Sequence, residues 1–264
     1  MAQQPIRFDD GEVYERGMGV WSRLVGQVFL DWLSPPSGLR WIDVGCGNGA
    51  FTELLVQRCA PGETQGIDPS EAQLAFARTR PGARGAAFLQ GDAVALPFDD
   101  GRFDAAVMAL VIFFVPDPAR GVAEMKRVVC PGGTIAAYVW DILDDKSPSS
   151  PIQVELRALG VTMLLPPSAE VSRMAALREL WKEARLEAVE TREITVQRIF
   201  ADFEDFWRST TGIPSVGQTI AAMAADDVEQ IKVRVRARLP ADASGRVLCH
   251  ASANAIKGRV PKLP

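Results

Sequence analysis

Trp41-Ile42-Asp43-Val44-Gly45-Cys46-Gly47-Asn48-Gly49 decides the fold. An apolar run ends in three glycines at alternate positions. Such a run suits a strand buried on both faces. The glycines allow tight backbone and close approach of a ligand. The helix expected over residues 51–59 would aim its first N–H groups at a carboxylate or phosphate. Asp43 stands two residues before the first glycine, where its carboxylate can reach the turn. Gly45-Cys46-Gly47-Asn48-Gly49-Ala50 alone also satisfies the loose dinucleotide pattern GxGxxA. A nicotinamide or flavin enzyme and a plain strand-to-helix turn both stay open on that stretch.

Working outward, the same alternation repeats. Residues 64–67 read as a strand and end in Gly66-Ile67-Asp68-Pro69. An acid at that place can accept both hydroxyls of a ribose. Residues 70–80 read as a helix, with Ser70 and Gln73 spaced as a capping box. Residues 86–90 form a third strand, followed by Gly91-Asp92-Ala93. An aspartate there can accept from an exocyclic amine while nearby backbone N–H groups read an adenine ring. Residues 103–110 are apolar on both faces and read as a central strand. Asp117-Pro118 opens a helix running to about Val129. Pro131-Gly132-Gly133 then turns the chain into a strand over 134–140. Upstream, residues 14–33 carry apolar side chains at helical spacing up to the breaker Ser34-Pro35-Pro36-Ser37-Gly38. Strands and helices in this rhythm predict a parallel sheet covered on both faces.

Beyond Asp141 the rhythm changes. Residues 144–151 are rich in Ser, Pro and charge and read as a boundary. Residues 171–185 read as a helix, and 187–197 and 246–256 as strands. Residues 200–240 show no strand–helix unit. Within them, 231–238 alternates like a strand, yet Val228, Ile231, Val235 and Leu239 share one helical face. A helix capped at Asp226 or Asp227 is the stronger reading. Its basic face is expected to be solvated, with contact to an anionic ligand the alternative. The organisation predicted is a core with an N-terminal helix over 1–141, then a half over 142–264 that completes the sheet. Insertions at about 142–170 and 200–240 would cap the site.

Composition narrows the partners. The 264 residues carry a net charge of -4 and a pI of about 5.2. That balance disfavours a nucleic-acid binder, which would show a basic stripe. The four cysteines include no CxxC pair, and His250 is the one histidine, so no metal site is expected. The longest apolar run, 105–115, falls short of the roughly 20 residues of a membrane span. No basic start leads into an apolar stretch. A cytoplasmic chain without disulfides or membrane association is expected, either monomer or homodimer.

Taken in order, Asp43-Val44-Gly45-Cys46-Gly47-Asn48-Gly49, Gly66-Ile67-Asp68, Gly91-Asp92-Ala93, Phe103-Asp104 and Arg127-Val128-Val129-Cys130-Pro131-Gly132-Gly133 resemble the motifs of class I S-adenosylmethionine-dependent methyltransferases. The chain looks most like the small-molecule branch often labelled type 11. The resemblance spans roughly residues 14–140. It implies a Rossmann-like, doubly wound, mostly parallel seven-stranded α/β sheet, with S-adenosylmethionine as cofactor. Gly45, Cys46 and Gly47 would line the methionine part, with Asp43 buttressing the turn. Asp68 would hold the ribose hydroxyls, and Pro69 would flank the adenine, with Gln73 nearby. Asp92 and Ala93 would read the adenine edge, and Leu110 would face the amino-acid end. Tyr14 and Trp21 would close over the site, with packing their alternative role.

Methyl transfer needs nucleophile and methyl held in line, and such positioning can supply roughly 7–11 kcal/mol. No histidine base is expected, because His250 falls in the last strand. Asp141 is a weak carboxylate candidate. Where the fourth strand ends, many nucleic-acid and protein N-methyltransferases carry an Asn/Asp-Pro-Pro-Tyr-like tetrapeptide. This chain has Leu110-Val111-Ile112-Phe113-Phe114-Val115 instead. An apolar mouth and a small-molecule acceptor follow. Phe113, Trp140, Phe203 and Trp207 are candidates for its pocket, with core packing the alternative for Phe113 and packing of the insertion the stronger reading for Phe203 and Trp207. A cofactor-binding protein without catalysis and a nicotinamide oxidoreductase remain as rival functions.

Overall fold

The structure is a computed structural model that describes residues 15–262; Tyr14 lies outside them. A π-helical turn over Glu15–Gly19 leads into α1 (Val20–Leu33). Then come β1 (Arg40–Val44), α2 (Ala50–Cys59), β2 (Glu63–Asp68), α3 (Glu71–Thr79) and β3 (Ala86–Gln90). β4 (Phe103–Ala109), α4 (Pro118–Val128) and β5 (Val129–Trp140) complete the first half. Ser70 caps α3 by accepting the Gln73 N–H at 3.4 Å, and Asp117 caps α4 by accepting the Arg120 N–H at 3.0 Å.

The second half holds α5 (Ser150–Ala158), α6 (Met174–Glu183), β6 (Glu187–Phe200), α7 (Phe203–Thr211), α8 (Pro214–Ala221), α9 (Ala225–Arg238) and β7 (Val247–Arg259). Its helices depart from expectation in their bounds and caps. The helix expected over 171–185 is a 3-10 turn at Ala169–Ser172, a break at extended Arg173, and then α6. Asn254 Nδ2 holds that break by donating to the Ser172 carbonyl at 2.8 Å. The segment 200–240 is three helices, opened by the Asp202 cap, by Pro214 at a first turn, and by Ala224. Asp226 and Asp227 sit in the first turn of α9, where they favour the helix dipole, and make no cap.

The seven strands form one sheet in the order β3-β2-β1-β4-β5-β7-β6. β1 to β5 pair in parallel, and β7 runs antiparallel between β5 and β6. Strand order reverses between β1 and β4, the point where open α/β sheets bind ligands beyond their carboxyl ends. Period-two alternation sorts the core. Ala105, Val107, Ala136 and Tyr138 face one layer with Trp21, Phe29, Phe51 and Phe206. Ala106, Met108, Ile135 and Ala137 face the other with Val122, Met125, Leu177 and Trp181. Residues from both halves of the chain share each layer. Among the described residues, no helix is long and apolar enough to cross a membrane.

Candidate active site

The carboxyl ends of β1, β2 and β4 surround a cavity of about 740 Å³. β1 delivers the glycine-rich turn. Gly45 N–H and Cys46 N–H both donate to the Ile67 carbonyl, at 2.7 and 3.0 Å, and fold the turn against β2. Gly45 has φ +75, and a Cβ there would lie 2.4 Å from Val111 Cγ1. Glycine is required at this position on both counts. β2 delivers Asp68, whose two oxygens accept from Gly47 N and Ser70 N, each at 2.9 Å. Each oxygen keeps further lone-pair capacity toward the cavity. Burial raises the Asp68 carboxyl above its ordinary value, against the pull of those two N–H groups.

Asp43 is fully buried beneath the turn. Its Oδ2 accepts from Thr52 Oγ1 at 2.6 Å, and its Oδ1 has no hydrogen-bond partner among the described residues. Burial pushes its carboxyl up to about 7, against the Thr52 hydrogen bond and with a smaller push from Asp68. Burial also holds the Cys46 thiol well above its usual range, so it is protonated at neutral pH. Asp92 stands exposed at the rim and accepts the Val94 N–H at 3.1 Å. Leu110 takes left-handed backbone, φ 63, held by its N–H to the Tyr138 carbonyl at 2.8 Å. That conformation costs a non-glycine residue about 1–2 kcal/mol.

Asp43, Gly45, Cys46, Gly47, Asp68, Pro69, Gln73, Asp92, Ala93 and Leu110 all line this cavity. Trp21 does not. It packs edge-on against Trp140, centroids 6.3 Å apart, while its neighbour Ser22 meets the cavity. One residue turns a helix by about 100°, so the two cannot share a face.

A family model described as a methyltransferase domain matches residues 42–137. A 2-phytyl-1,4-naphtoquinone methyltransferase of Synechococcus elongatus is 32% identical over 171 residues, 63% of this chain and 71% of that protein. The chain belongs to the class I S-adenosylmethionine-dependent methyltransferases. An Arabidopsis thaliana relative, 2-phytyl-1,4-beta-naphthoquinone methyltransferase, chloroplastic, is 29% identical over 61% of this chain and 62% of its own length. The fold also matches a Haemonchus contortus phosphoethanolamine N-methyltransferase solved with S-adenosyl-L-methionine. That match has TM-score 0.54 and 16% identity, over 90% of this chain and 52% of that one.

In this methyltransferase the glycine turn is clamped from outside by a charge cluster that its motifs do not announce. Glu15 is ion-paired to both Arg23 and Arg80, and it accepts from Asn48 Nδ2 at 3.0 Å. Arg80 also pairs with Glu53 at 3.0 Å and donates to the Asn48 carbonyl. Burial lifts the Glu15 carboxyl, but Arg80 and Arg23 outweigh it and hold the group below its ordinary value. Glu15 and Arg80 lie 65 positions apart, beyond the reach of any local pattern.

A smaller cavity of about 70 Å³ adjoins the first and shares Leu110, Phe114, Leu164 and Leu165 with it. Phe113 and Trp140 line this recess, as do Ile213 and Pro214 from the second added segment. Phe203 and Trp207 line neither cavity. They stack on each other, centroids 6.2 Å apart, beneath the basic face of α9. Arg236 lies 4.5 Å from the Phe203 centroid and Lys232 5.9 Å from that of Trp207. Asp141 also lines neither cavity; its Oδ2 lies 3.4 Å from Lys146 Nζ. His250 is exposed on β7, opposite Gln197.

Proposed function

We propose that this chain transfers the methyl group of S-adenosylmethionine to a small molecule with an apolar body. One observation carries the reading: a single cavity lined together by Gly45, Gly47, Asp68 and Asp92. These residues suit the cofactor. Gly45 stands where a Cβ would collide with Val111, Asp68 offers carboxylate oxygens, and the cavity volume falls within the range of small-molecule sites. In our reading Asp68 takes the ribose hydroxyls, while the Gly45–Gly47 backbone and Asp43 support the amino-acid end. Asp92, Ala93 and Pro69 hold the adenine. When bound, S-adenosylmethionine supplies a methyl group made electrophilic by its sulfonium.

The protein's share is orientation and exclusion of water. Leu110, Val111, Phe114, Leu164 and Leu165 form an apolar wall where acceptor and methyl would meet. Among the described residues no Asp, Glu, His or Lys lines the smaller recess, and a nucleophile that arrives ionised or needs no deprotonation suits such a lining. The named substrates of the two relatives, phytylated naphthoquinones, match such a wall in polarity. The net charge of -4 supports a partner other than nucleic acid, and four free cysteines support a reducing cytoplasm.

Calorimetric titration with S-adenosylhomocysteine and with NAD tests the cofactor. Tight binding of the first alone is expected. Asp68→Ala should weaken that binding by about 100-fold, the worth of one or two charged hydrogen bonds. An unchanged affinity would overturn the ribose assignment.

A further inference from the structure

The recess beside the main cavity is mostly apolar; Ser215 of α8 lines it, and a polar corner stands at the start of α5. Ser147, Ser149 and Gln153 meet there; all three are buried, and among the described residues no lining residue is charged. The corner's protons can be counted. Ser150 Oγ accepts the Ser147 N–H at 2.8 Å, which fixes the start of α5. Ser147 Oγ lies 3.1 Å from Ser149 Oγ and 3.0 Å from Ser150 Oγ. It donates to Gln153 Oε1 at 3.4 Å. The Gln153 carboxamide oxygen is thereby turned toward the serines. Its two N–H donors remain for the recess that Gln153 lines. A donor pair walled by Phe113, Trp140 and Ile213 suits an oxygen that only needs to accept.

We propose that Gln153, oriented by Ser147, is the positioning residue for the methyl acceptor. The acceptor presents a ring to the apolar walls and a carbonyl or hydroxyl oxygen to the Gln153 amide. This rests on reading the larger cavity as the cofactor site, because the two share the wall across which methyl transfer would occur. The recess, at about 70 Å³, takes only the oxygen-bearing edge of a ring. The remainder of a larger acceptor would extend into the main cavity.

Two probes of nearly equal shape test the contact without requiring turnover. Cyclohexanone carries a carbonyl where methylenecyclohexane carries a CH₂ group. Their affinities are measured by ligand-observed NMR, with and without saturating S-adenosylhomocysteine. The proteins compared are wild type, Gln153→Leu and Gln153→Met. Wild type should prefer the ketone by roughly threefold to tenfold, the worth of one neutral hydrogen bond. Either variant should bring the two affinities within twofold of each other and leave S-adenosylhomocysteine affinity unchanged. A role confined to folding would lower both probe affinities together.

Equal affinities in the wild type would overturn the proposal, as would a ketone preference surviving in both variants or no binding of either probe. Failure of S-adenosylhomocysteine to bind while the ketone preference holds would reject the cofactor reading and leave the Gln153 contact standing.

Discussion

The polar floor of the cavity and its cover are assembled differently. Asp43, Gly45, Asp68 and Asp92 lie at or just beyond the ends of three neighbouring parallel strands. Their positions follow from strand register and glycine backbone over a few residues each. The cover is made by Leu164, Leu165 and Pro167, which follow α5, and the first two share the recess with Ile213 and Pro214 at the start of α8. Glu155 of α5 pairs with Arg238 of α9, and Phe206 of α7 packs with Phe200 and with the layer that contains Trp21. The floor tolerates little backbone change, and the cover depends on side-chain volume.

The largest effect expected tests whether α7 to α9 form a detachable lid or part of the core. Phe206 is fully buried in the same layer as Trp21 and Tyr138. Phe206→Ala should cost about 3–5 kcal/mol, as loss of a buried aromatic does. The measurement is the denaturant midpoint of the whole chain. A loss below about 1 kcal/mol would show that the cover folds apart from the sheet. Removing residues 200–240 outright would expose Trp21, Val247 and their neighbours, so a clean separation of binding from turnover is not expected from that deletion.

The floor responds to a smaller change. Gly45→Ala adds one methyl group at φ +75 and drives it into Val111. Left-handed backbone and overpacking together should cost about 2–4 kcal/mol. S-adenosylhomocysteine affinity should fall with it, because Val111 lines the cavity. Gly160→Ala offers the contrast: it also has positive φ, but open space surrounds its Cβ position. It should cost only the conformational share, about 1–2 kcal/mol, and leave cofactor affinity unchanged. Equal costs at the two sites would remove the packing argument from the glycine turn.

This contrast also explains what was legible in the sequence. β3 is read to the residue, and the ends of β1, β2 and β4 to within one, because apolar runs stop at Gly or Asp signals that act locally. The sheet's antiparallel edge was foreseen only as two late strands. Cross-strand pairing carries β6 to Phe200 and β7 to Arg259, beyond the stretches 187–197 and 246–256 that the sequence marks. Trp21 and Ser22 differ by one helix position, and helical spacing alone does not say which one the cavity receives. Phe203 and Trp207 show an aromatic stripe without showing what covers it; the answer lies about 30 residues later, in Lys232 and Arg236. Gln153 and the Glu15–Arg80 cluster carried no local signature at all.

Buried charge beneath the floor sets a pH dependence that the cover does not share. Burial raises the Asp43 carboxyl from its ordinary value to about 7, so the folded protein holds a proton that the unfolded chain releases near pH 4. Stability from this group is complete below pH 4 and is lost as pH rises toward 7. Asp68 acts in the same direction. Asp104, lowered to about 2 by its Arg40 hydrogen bonds, acts oppositely, but only as pH falls below 4. Asp43→Asn should therefore gain stability relative to wild type between pH 5 and pH 7, by about 1–3 kcal/mol. Urea unfolding at the two pH values measures it. Parallel curves would mean that Asp43 is ionised throughout.

The smallest effect expected concerns the outer face of the cover. Arg236 is exposed, lies over Phe203 and pairs with Glu204 at 2.6 Å. Exposed ion pairs and cation–π contacts contribute little, so Arg236→Ala should cost about 0.5–1 kcal/mol and leave S-adenosylhomocysteine affinity unchanged. The same basic face could instead hold an anionic part of the acceptor, and the two roles separate cleanly. A packing role predicts that the small loss of stability persists in high salt, because the Arg236 stem still covers Phe203, and that acceptor KM does not move. An anion-binding role predicts a KM that rises in the variant and, in the wild type, rises with salt as the charges are screened. Arg236 already has Phe203 and Glu204 as partners, and Phe203 and Trp207 line neither cavity. Both observations set this face on the outside of the cover, and the packing result follows from them.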